Sequence, residues 1–181
     1  MVGAVCIRDA DAHDDDAQEW WIRQRDPSPK KIVRRMERQL ATLSRLCRHL
    51  PQHHADEAAR TAAAAIMRYF DVAAANHHAD EEATLLPRLR NVRPDLAGLC
   101  AEIERDHLAL GGGWLRLRPR LAAIAVGRSG YLPIREVEAF RAGYEAHIAR
   151  EEDGLLPLAR AALDQAMLAE IGEEMAARRN L

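Results

Sequence analysis

The sequence has few aromatic residues and no long hydrophobic run. Aromatic residues make up 4% of its 181 residues, whereas alanine, leucine, arginine and glutamate are abundant. These four residue types favour helices, while strands are enriched in aromatic and β-branched residues. The scarcity of aromatics therefore counts against a β-rich protein and predicts an all-α fold.

Cysteine is also scarce, since Cys6, Cys47 and Cys100 are the only three and no CxxC motif occurs. Their odd number and wide spacing argue against a disulfide framework or a zinc finger. The N-terminal residues lack the basic region of a signal peptide, and no stretch approaches the ~18 apolar residues of a membrane span. We therefore expect a cytoplasmic protein that does not enter a membrane.

Positive and negative charges are also nearly balanced: 30% of the residues are charged, and the net charge is −2. This balance gives no sign of a nucleic-acid partner. Residues 1–27 are acidic, contain Trp20 and Trp21, and precede a proline-containing break. We predict that this segment is an arm, either a tail whose tryptophans cover the end of the fold or a segment that binds a protein partner or a second copy. Residues 28–181 then form one domain.

Four long helical patterns and a short fifth one fill the rest of the chain. Ser28 suits an N-cap and Pro29 a first helical position, and apolar residues recur at helical spacing in each pattern. We expect Gly111 to Gly113 to weaken or bend the third helix. Short connections between long helices predict an up-down-up-down four-helix bundle with an added short C-terminal helix. The patterns extend from Ser28 to Pro51, from about Asp56 to Pro87, from Pro94 past the glycines, from about Pro133 to Pro157, and over 164–180.

Nearly the same ionisable string occurs twice. "HHADEEATLLPRLR" begins at His77, "HIAREEDGLLPLAR" begins at His147, and a shift of 70 residues superimposes them. A histidine and a glutamate four residues apart share one helix face, so each string forms a His-Glu pair, with Glu81 in the first and Glu151 in the second. The string is either a helix-ending device used twice or half of a two-fold chemical site.

The repeat also decides between two registers. His78 and Glu82 are four residues apart too, but position 148 is isoleucine, so only the register of His77 is duplicated. His107 lies 40 residues before the second pair, and Glu37 lies 40 residues before the first. Antiparallel packing at ~1.5 Å per residue brings these positions to a common depth. The predicted ligands are Glu37, His77, Glu81, His107, His147 and Glu151.

The remaining histidines belong elsewhere. His54 is about 35 Å from His77 along what should be nearly one helix, which places it at the opposite end of the bundle. We interpret His13, His49, His53 and His54 as surface or capping residues. The six predicted ligands could form a hydrogen-bonded polar core, but buried charges are costly unless paired or bound to metal. Imidazole and carboxylate without thiolate suit iron, manganese or zinc, and helix bundles hold metal pairs with bridging carboxylates.

With its two "HxxxEExxLLP" strings and a lone His107, the chain resembles the hemerythrin-like HHE cation-binding domains over roughly residues 30–179. That resemblance implies a four-helix bundle holding two non-haem irons with an oxo or hydroxo bridge and an open coordination position. Manganese, a mixed iron and manganese pair, or zinc are the alternatives. Carried over by position, the implied ligands are His77, Glu81, His107, His147 and Glu151, with the two glutamates bridging.

The chain departs from that pattern in two ways. Oxygen-carrying hemerythrins have a histidine where this chain has Gly111, and they use HxxxxD in the last helix, so the chain resembles the "H-HxxxE-H-HxxxE" branch instead. The first-helix histidine is missing as well. Glu37 takes its place, or Val33 if that helix is shifted by one turn. A third buried carboxylate at Glu37 would favour the ferric state, which predicts a lowered reduction potential.

Three functions fit this resemblance. The first is a di-iron protein, and hence an oxidoreductase if it turns over, that binds and reacts with dioxygen, peroxide or nitric oxide. The second is an iron-sensing or oxygen-sensing binding module. The third is a di-iron oxidase acting on an organic substrate, for which the alanine stretches at 62–65 and 73–75 could leave a cavity.

Overall fold

A computed structural model describes residues 29–179, with side chains described over 33–178. The predicted arm at 1–27, with Trp20 and Trp21, and His13 lie outside the described residues. Within them all regular secondary structure is helical and no strand occurs, so the predicted all-α fold is confirmed.

Within residues 29–179 five helical rods follow one another, and two of them contain π turns. Helix α1 is Pro29–His53. Rod α2 spans 57–92 and consists of Glu57–Arg68, the π turn Tyr69–Ala74, Ala75–Asp80, the π turn Glu81–Leu85, and Leu86–Val92. The 3-10 turn Pro94–Leu96 leads into α3, Ala97–Ala125. Rod α4 spans 134–162 as Ile134–Arg150, the π turn Glu151–Leu155, and Leu156–Ala162, and α5 is Gln165–Arg179.

Ion pairs at both ends of the rods show the antiparallel order. Arg118 near the end of α3 lies 2.8 Å from Asp71 in the first half of α2, and Arg90 near the end of α2 lies 2.6 Å from Glu104 in the first half of α3. Ion pairs between α3 and α4 show that these two helices are antiparallel as well, and α4 packs against α1. The four long rods therefore form the predicted up-down-up-down bundle.

Local signals explain where the rods begin and end. Asp56 caps α2 by accepting a hydrogen bond from the backbone N–H of Ala59 at 2.8 Å. Gly127, with φ of 72°, ends α3, and the N–H of Arg128 bonds to the carbonyl of Ala123 across it. Helix α1 continues past Pro51 to His53, about half a turn further than the pattern predicted.

The glycine run does not interrupt α3. Gly113 is buried against α4, where an added Cβ would lie 2.9 Å from Cδ2 of Phe140. Gly143 of α4 makes the reciprocal close approach, since a Cβ there would lie 3.1 Å from Cδ2 of Leu110. The expected weakening is offset because the small residues let α3 and α4 pack closely around an aromatic cluster of Phe70, Trp114, Phe140 and Tyr144.

A buried polar layer divides the interior into two apolar cores. The large core contains 20 buried side chains, among them Leu43, Ile66, Leu121 and Phe140. The small core contains 10, among them Leu86, Leu89, Ile103 and Ile171. The described side chains of α1 that are buried belong to the large core, and α5 packs against the small core. The polar residues between them are Asp80, Glu81, Thr84, His107, His147 and Glu151.

Candidate metal centre

Each duplicated string contains a π turn that begins at its glutamate. The N–H of Leu86 bonds to the carbonyl of Glu81, and the N–H of Leu156 bonds to the carbonyl of Glu151, so both bonds span five residues. A proline follows in each string, and it has no N–H for the carbonyl four residues earlier. The repeated Leu-Leu-Pro thus explains why the helix widens at the same place twice.

Two overlapping groups of ligand atoms meet in the polar layer. In each group the ligand atoms all lie within 4.8 Å of one another, and the side chain of His147 belongs to both. The first group is His77, Glu81, His147 and Glu151; the second is His78, His107 and His147. The structure therefore brings together five of the six predicted ligands, which are His77, Glu81, His107, His147 and Glu151.

Each glutamate of the cluster lies between two imidazoles. Oε1 of Glu81 is 3.8 Å from Nε2 of His77, and its Oε2 is 3.2 Å from Nε2 of His107. Oε1 of Glu151 is 2.8 Å from Nε2 of His147, and its Oε2 is 3.8 Å from Nε2 of His77. Both carboxylates are thus placed to reach two positions at once.

Several of these atoms are buried without a hydrogen bond. They are Oε2 of Glu81, Nε2 of His107, Nε2 of His147 and Oε1 of Glu151, which lie close to one another but without hydrogen-bonding angles. Such buried polar atoms are costly to leave without partners. A hydrogen-bonded polar core would have satisfied them, whereas cations held by the two overlapping groups would accept these atoms as ligands. The donor set therefore fits a bound metal.

The outer ring nitrogens of two histidines face carboxylates. Nδ1 of His107 is hydrogen-bonded to Oε1 of Glu82 at 2.7 Å. Nδ1 of His147 lies 3.6 Å from Oδ2 of Asp106, which in turn pairs with Arg150. The carboxylate hydrogen-bonded to Nδ1 of His107 fixes its tautomer and directs its Nε2 inward, whereas Nδ1 of His147 makes no hydrogen bond within the described residues. Both imidazoles present Nε2 to the cluster.

Burial and mutual charge perturb the ionisation of the cluster. Burial opposes charge on His77, but the carboxylates of Glu81 and Glu151 outweigh it and raise its pKa to about 9. Burial raises the pKa of Glu81. The pKa of Glu151 is lowered in spite of burial, because His147 and His77 lie beside it. A cation that binds at His77 therefore displaces a proton.

His78, which the repeat set aside, faces the cluster as well. Its ring is stacked on that of His107 with centroids 4.0 Å apart and planes 9° apart, and its Nε2 is buried without a hydrogen bond. Burial, together with the charge of His107, lowers its pKa to about 2, so the imidazole is neutral. The sequence signal that could have identified His78 is its position directly after His77. The equivalent neighbours in α4, His147 and Ile148, are both buried.

Glu37 is not brought to the cluster. Its side chain is exposed and lines a surface groove between α1 and α4, while its neighbour Met36 is 1% exposed in the large core. The apolar stripe of α1 passes through Met36 and Leu40, which turns position 37 outward. Val33, the alternative one turn earlier, packs against the large core. Among the described side chains α1 supplies no ligand to this cluster, so the third carboxylate behind the expected low potential is not present there.

The other histidines lie at the corner between α1 and α2. His49 contacts Asp56 at 3.0 Å, His53 is exposed, and His54 has a positive φ of 54°. None of the three belongs to either group of ligand atoms in the polar layer.

Among residues 29–179, no helix combines the length and the apolar character that a bilayer span requires.

A bundle with such a His/Glu cluster in its interior is the architecture of a cation-binding domain. The profile of the family "Hemerythrin HHE cation binding domain" matches residues 29–159, and the chain belongs to this family. An uncharacterised protein of Haemophilus influenzae is 33% identical to it over 149 residues, which cover 82% of this chain and 84% of that relative.

Proposed function

We propose that the protein holds two non-haem iron ions between α2, α3 and α4 and reacts there with dioxygen, peroxide or nitric oxide. The observation that carries the proposal is that each buried carboxylate lies between two imidazoles. Nitrogen and oxygen donors without thiolate suit iron, and carboxylates that reach two positions suit a pair of ions. Bound iron would supply electrons by passing between its ferrous and ferric states.

The proposed ligands surround the two positions unequally. One position is faced by the imidazoles of His78, His107 and His147, whereas the other has the imidazoles of His77 and His147 together with the two carboxylates. The side chain of His77 is also 16% exposed, compared with 3% for His107 and 0% for His147. We therefore expect a small ligand to enter on the His77 side, which is the more exposed side of the cluster.

The surrounding residues hold the ligands and limit what can enter. Glu82 holds Nδ1 of His107, so that Nε2 is available to the ion. The large core and the small core close both ends of the polar layer with apolar side chains. These walls favour small ligands over extended substrates.

Anaerobic mixing experiments test the proposed reaction. Iron-loaded, fully reduced protein is mixed separately with hydrogen peroxide, dioxygen and nitric oxide, and its optical spectrum is followed. We expect a rapid change to the ferric or nitrosyl spectrum with at least one of the three. A matched sample of the His147→Ala variant, which lacks the shared ligand, should show no such change. A loaded wild-type protein that is inert to all three reagents would refute the proposal.

A sensing role is a second candidate, and one contact favours it. Arg178 of α5 lies 2.6 Å from Oδ1 of the buried Asp80 and donates a hydrogen bond to Oγ1 of Thr84 at 2.8 Å. Asp80 directly precedes the π turn that begins at Glu81, and Thr84 lies within that turn. A conformational change at Glu81 would therefore be transmitted to α5. Hydrogen exchange of α5 should then differ between the reduced and the oxidised loaded protein, and equal exchange would count against this role.

The oxidase acting on an organic substrate, the partner of the N-terminal arm and the cytoplasmic location stay predictions. No contact among the described residues favours one of them.

A further inference from the structure

The corner between α1 and α2 holds another group of metal-ligating side chains. His49 and His53 lie one helical turn apart at the end of α1, and Asp56 caps the start of α2. One ligand atom from each of the three lies within 4.8 Å of the others. The two imidazole rings are stacked, with centroids 4.3 Å apart and planes 21° apart.

Asp56 is held in place by the start of its helix. Its Oδ1 accepts the N–H of Ala59 at 2.8 Å, and its Oδ2 lies 3.0 Å from Nε2 of His49. The hydrogen bond from Ala59 is the main reason that the pKa of Asp56 is lowered, which keeps the carboxylate ionised. One oxygen therefore caps the helix while the other faces the two imidazoles.

Capping alone does not account for the second imidazole. An N-cap requires only the carboxylate of Asp56, and one bond from His49 is enough to tie α1 to it. His53 contacts the ring of His49 and makes no hydrogen bond within the described residues. The position of His53 beside His49 and Asp56 is explained if all three side chains bind the same ion.

We propose that His49, His53 and Asp56 bind a divalent transition-metal ion of the zinc type, with water completing its coordination. Two neutral imidazoles and one carboxylate form a three-ligand zinc-type donor set that leaves a position open. The site is separate from the polar layer, because Asp56 and Glu81 are about 37 Å apart along α2 by helical rise. The ion ties the end of α1 to the start of α2, so its binding stabilises the folded protein.

Titration with Co²⁺ tests this proposal, because bound Co²⁺ has visible absorption bands that report its ligands. The iron-loaded protein is titrated, and bound cobalt and iron are both counted. We expect one further equivalent of cobalt and a rise in Tm that saturates with it. Both effects should be lost in His53→Ala and in Asp56→Asn, which retains a capping side chain.

A neighbouring histidine provides the control. His54→Asn removes an imidazole from the same corner and places at φ 54° a residue that tolerates that conformation. Cobalt binding should be unchanged in this variant. Absence of the extra equivalent, or equal binding in wild type, His53→Ala and Asp56→Asn, would overturn the proposal. Because the corner is tested by differences among variants with an intact polar layer, its failure is distinguishable from failure of the di-iron proposal.

Discussion

The two duplicated strings share a backbone conformation but differ at the residue that follows the first ligand histidine. In α2 and in α4 a π turn begins at the ligand glutamate and ends before a Leu-Pro pair. The residue after the first histidine is His78 in α2, where it stacks in the cluster, and Ile148 in α4, where it joins the large core. The repeat thus provides a symmetric frame, and a single difference within it makes the two sides of the cluster unequal.

The strings also differ one position before the glutamate. Asp80 in α2 is buried and paired with Arg178 of α5, whereas the equivalent Arg150 in α4 is partly exposed and paired with Asp106 of α3. The α2 string is therefore supported by a fifth helix that the α4 string does not contact in the same way. Each of these differences can be tested by making one string resemble the other.

The largest effect is expected from His147→Ala, because this imidazole belongs to both groups of ligand atoms. We expect the variant to lose both ions while it keeps its helical content. Metal analysis after dialysis, with circular dichroism as the check on folding, makes the measurement. His54→Asn is the control and should retain the wild-type metal content. Normal metal content in His147→Ala would show that this residue is not a ligand.

A reciprocal exchange at the differing position should give the next largest effect. His78→Ile makes the α2 string like the α4 string, and we expect it to lose about half of the bound metal, since one position loses an imidazole. Ile148→His introduces the opposite change and should not reduce metal content, provided that the large core tolerates it. Unchanged metal content and spectrum in His78→Ile would exclude His78 as a ligand.

Removing the charged partner of each string should affect stability unequally. Arg178→Ala removes one charged donor from the buried Asp80 and from Thr84 and should lower the free energy of unfolding by about 1–3 kcal/mol. Arg150→Ala breaks a more exposed pair and should cost less than about 1 kcal/mol. Urea unfolding of both variants compares them. Equal losses would argue against a special role of α5 behind the α2 string.

The smallest effects are expected at the exposed prolines that follow the π turns. Pro87→Ala and Pro157→Ala each restore an N–H that can close an α-type bond, which favours a regular helix over the π turn. We expect each change to weaken metal affinity by up to about tenfold, because the adjacent glutamate is reoriented. Competition with a chelator measures this affinity. Wild-type affinity in both variants would show that the prolines do not maintain the ligand geometry.

Periodicity was enough to predict the bundle and most of the cluster. Apolar spacing and the capping residue Asp56 mark the rods, and the shared face of His77 and Glu81 follows from helix geometry alone. His107 was found because antiparallel packing brings it to the same depth. These features depend on local patterns that each rod carries in its own sequence.

The errors came from treating every helix as straight and in register with the repeat. A shift of one position on α1 is enough to turn Glu37 to the surface and Met36 to the core, and spacing to another helix does not determine that rotation. His78 was set aside because position 148 is isoleucine, but both residues face inward: His78 stacks on His107 in the cluster, and Ile148 joins the large core. The glycine run in α3 stayed helical because its close contact with Phe140 is a tertiary effect.

The most direct test of the central claim is the iron stoichiometry of protein produced in iron-replete cells. The account predicts two irons per chain, with absorption bands of a carboxylate-bridged ferric pair in the oxidised protein. One iron per chain, or zinc in place of iron, would contradict it.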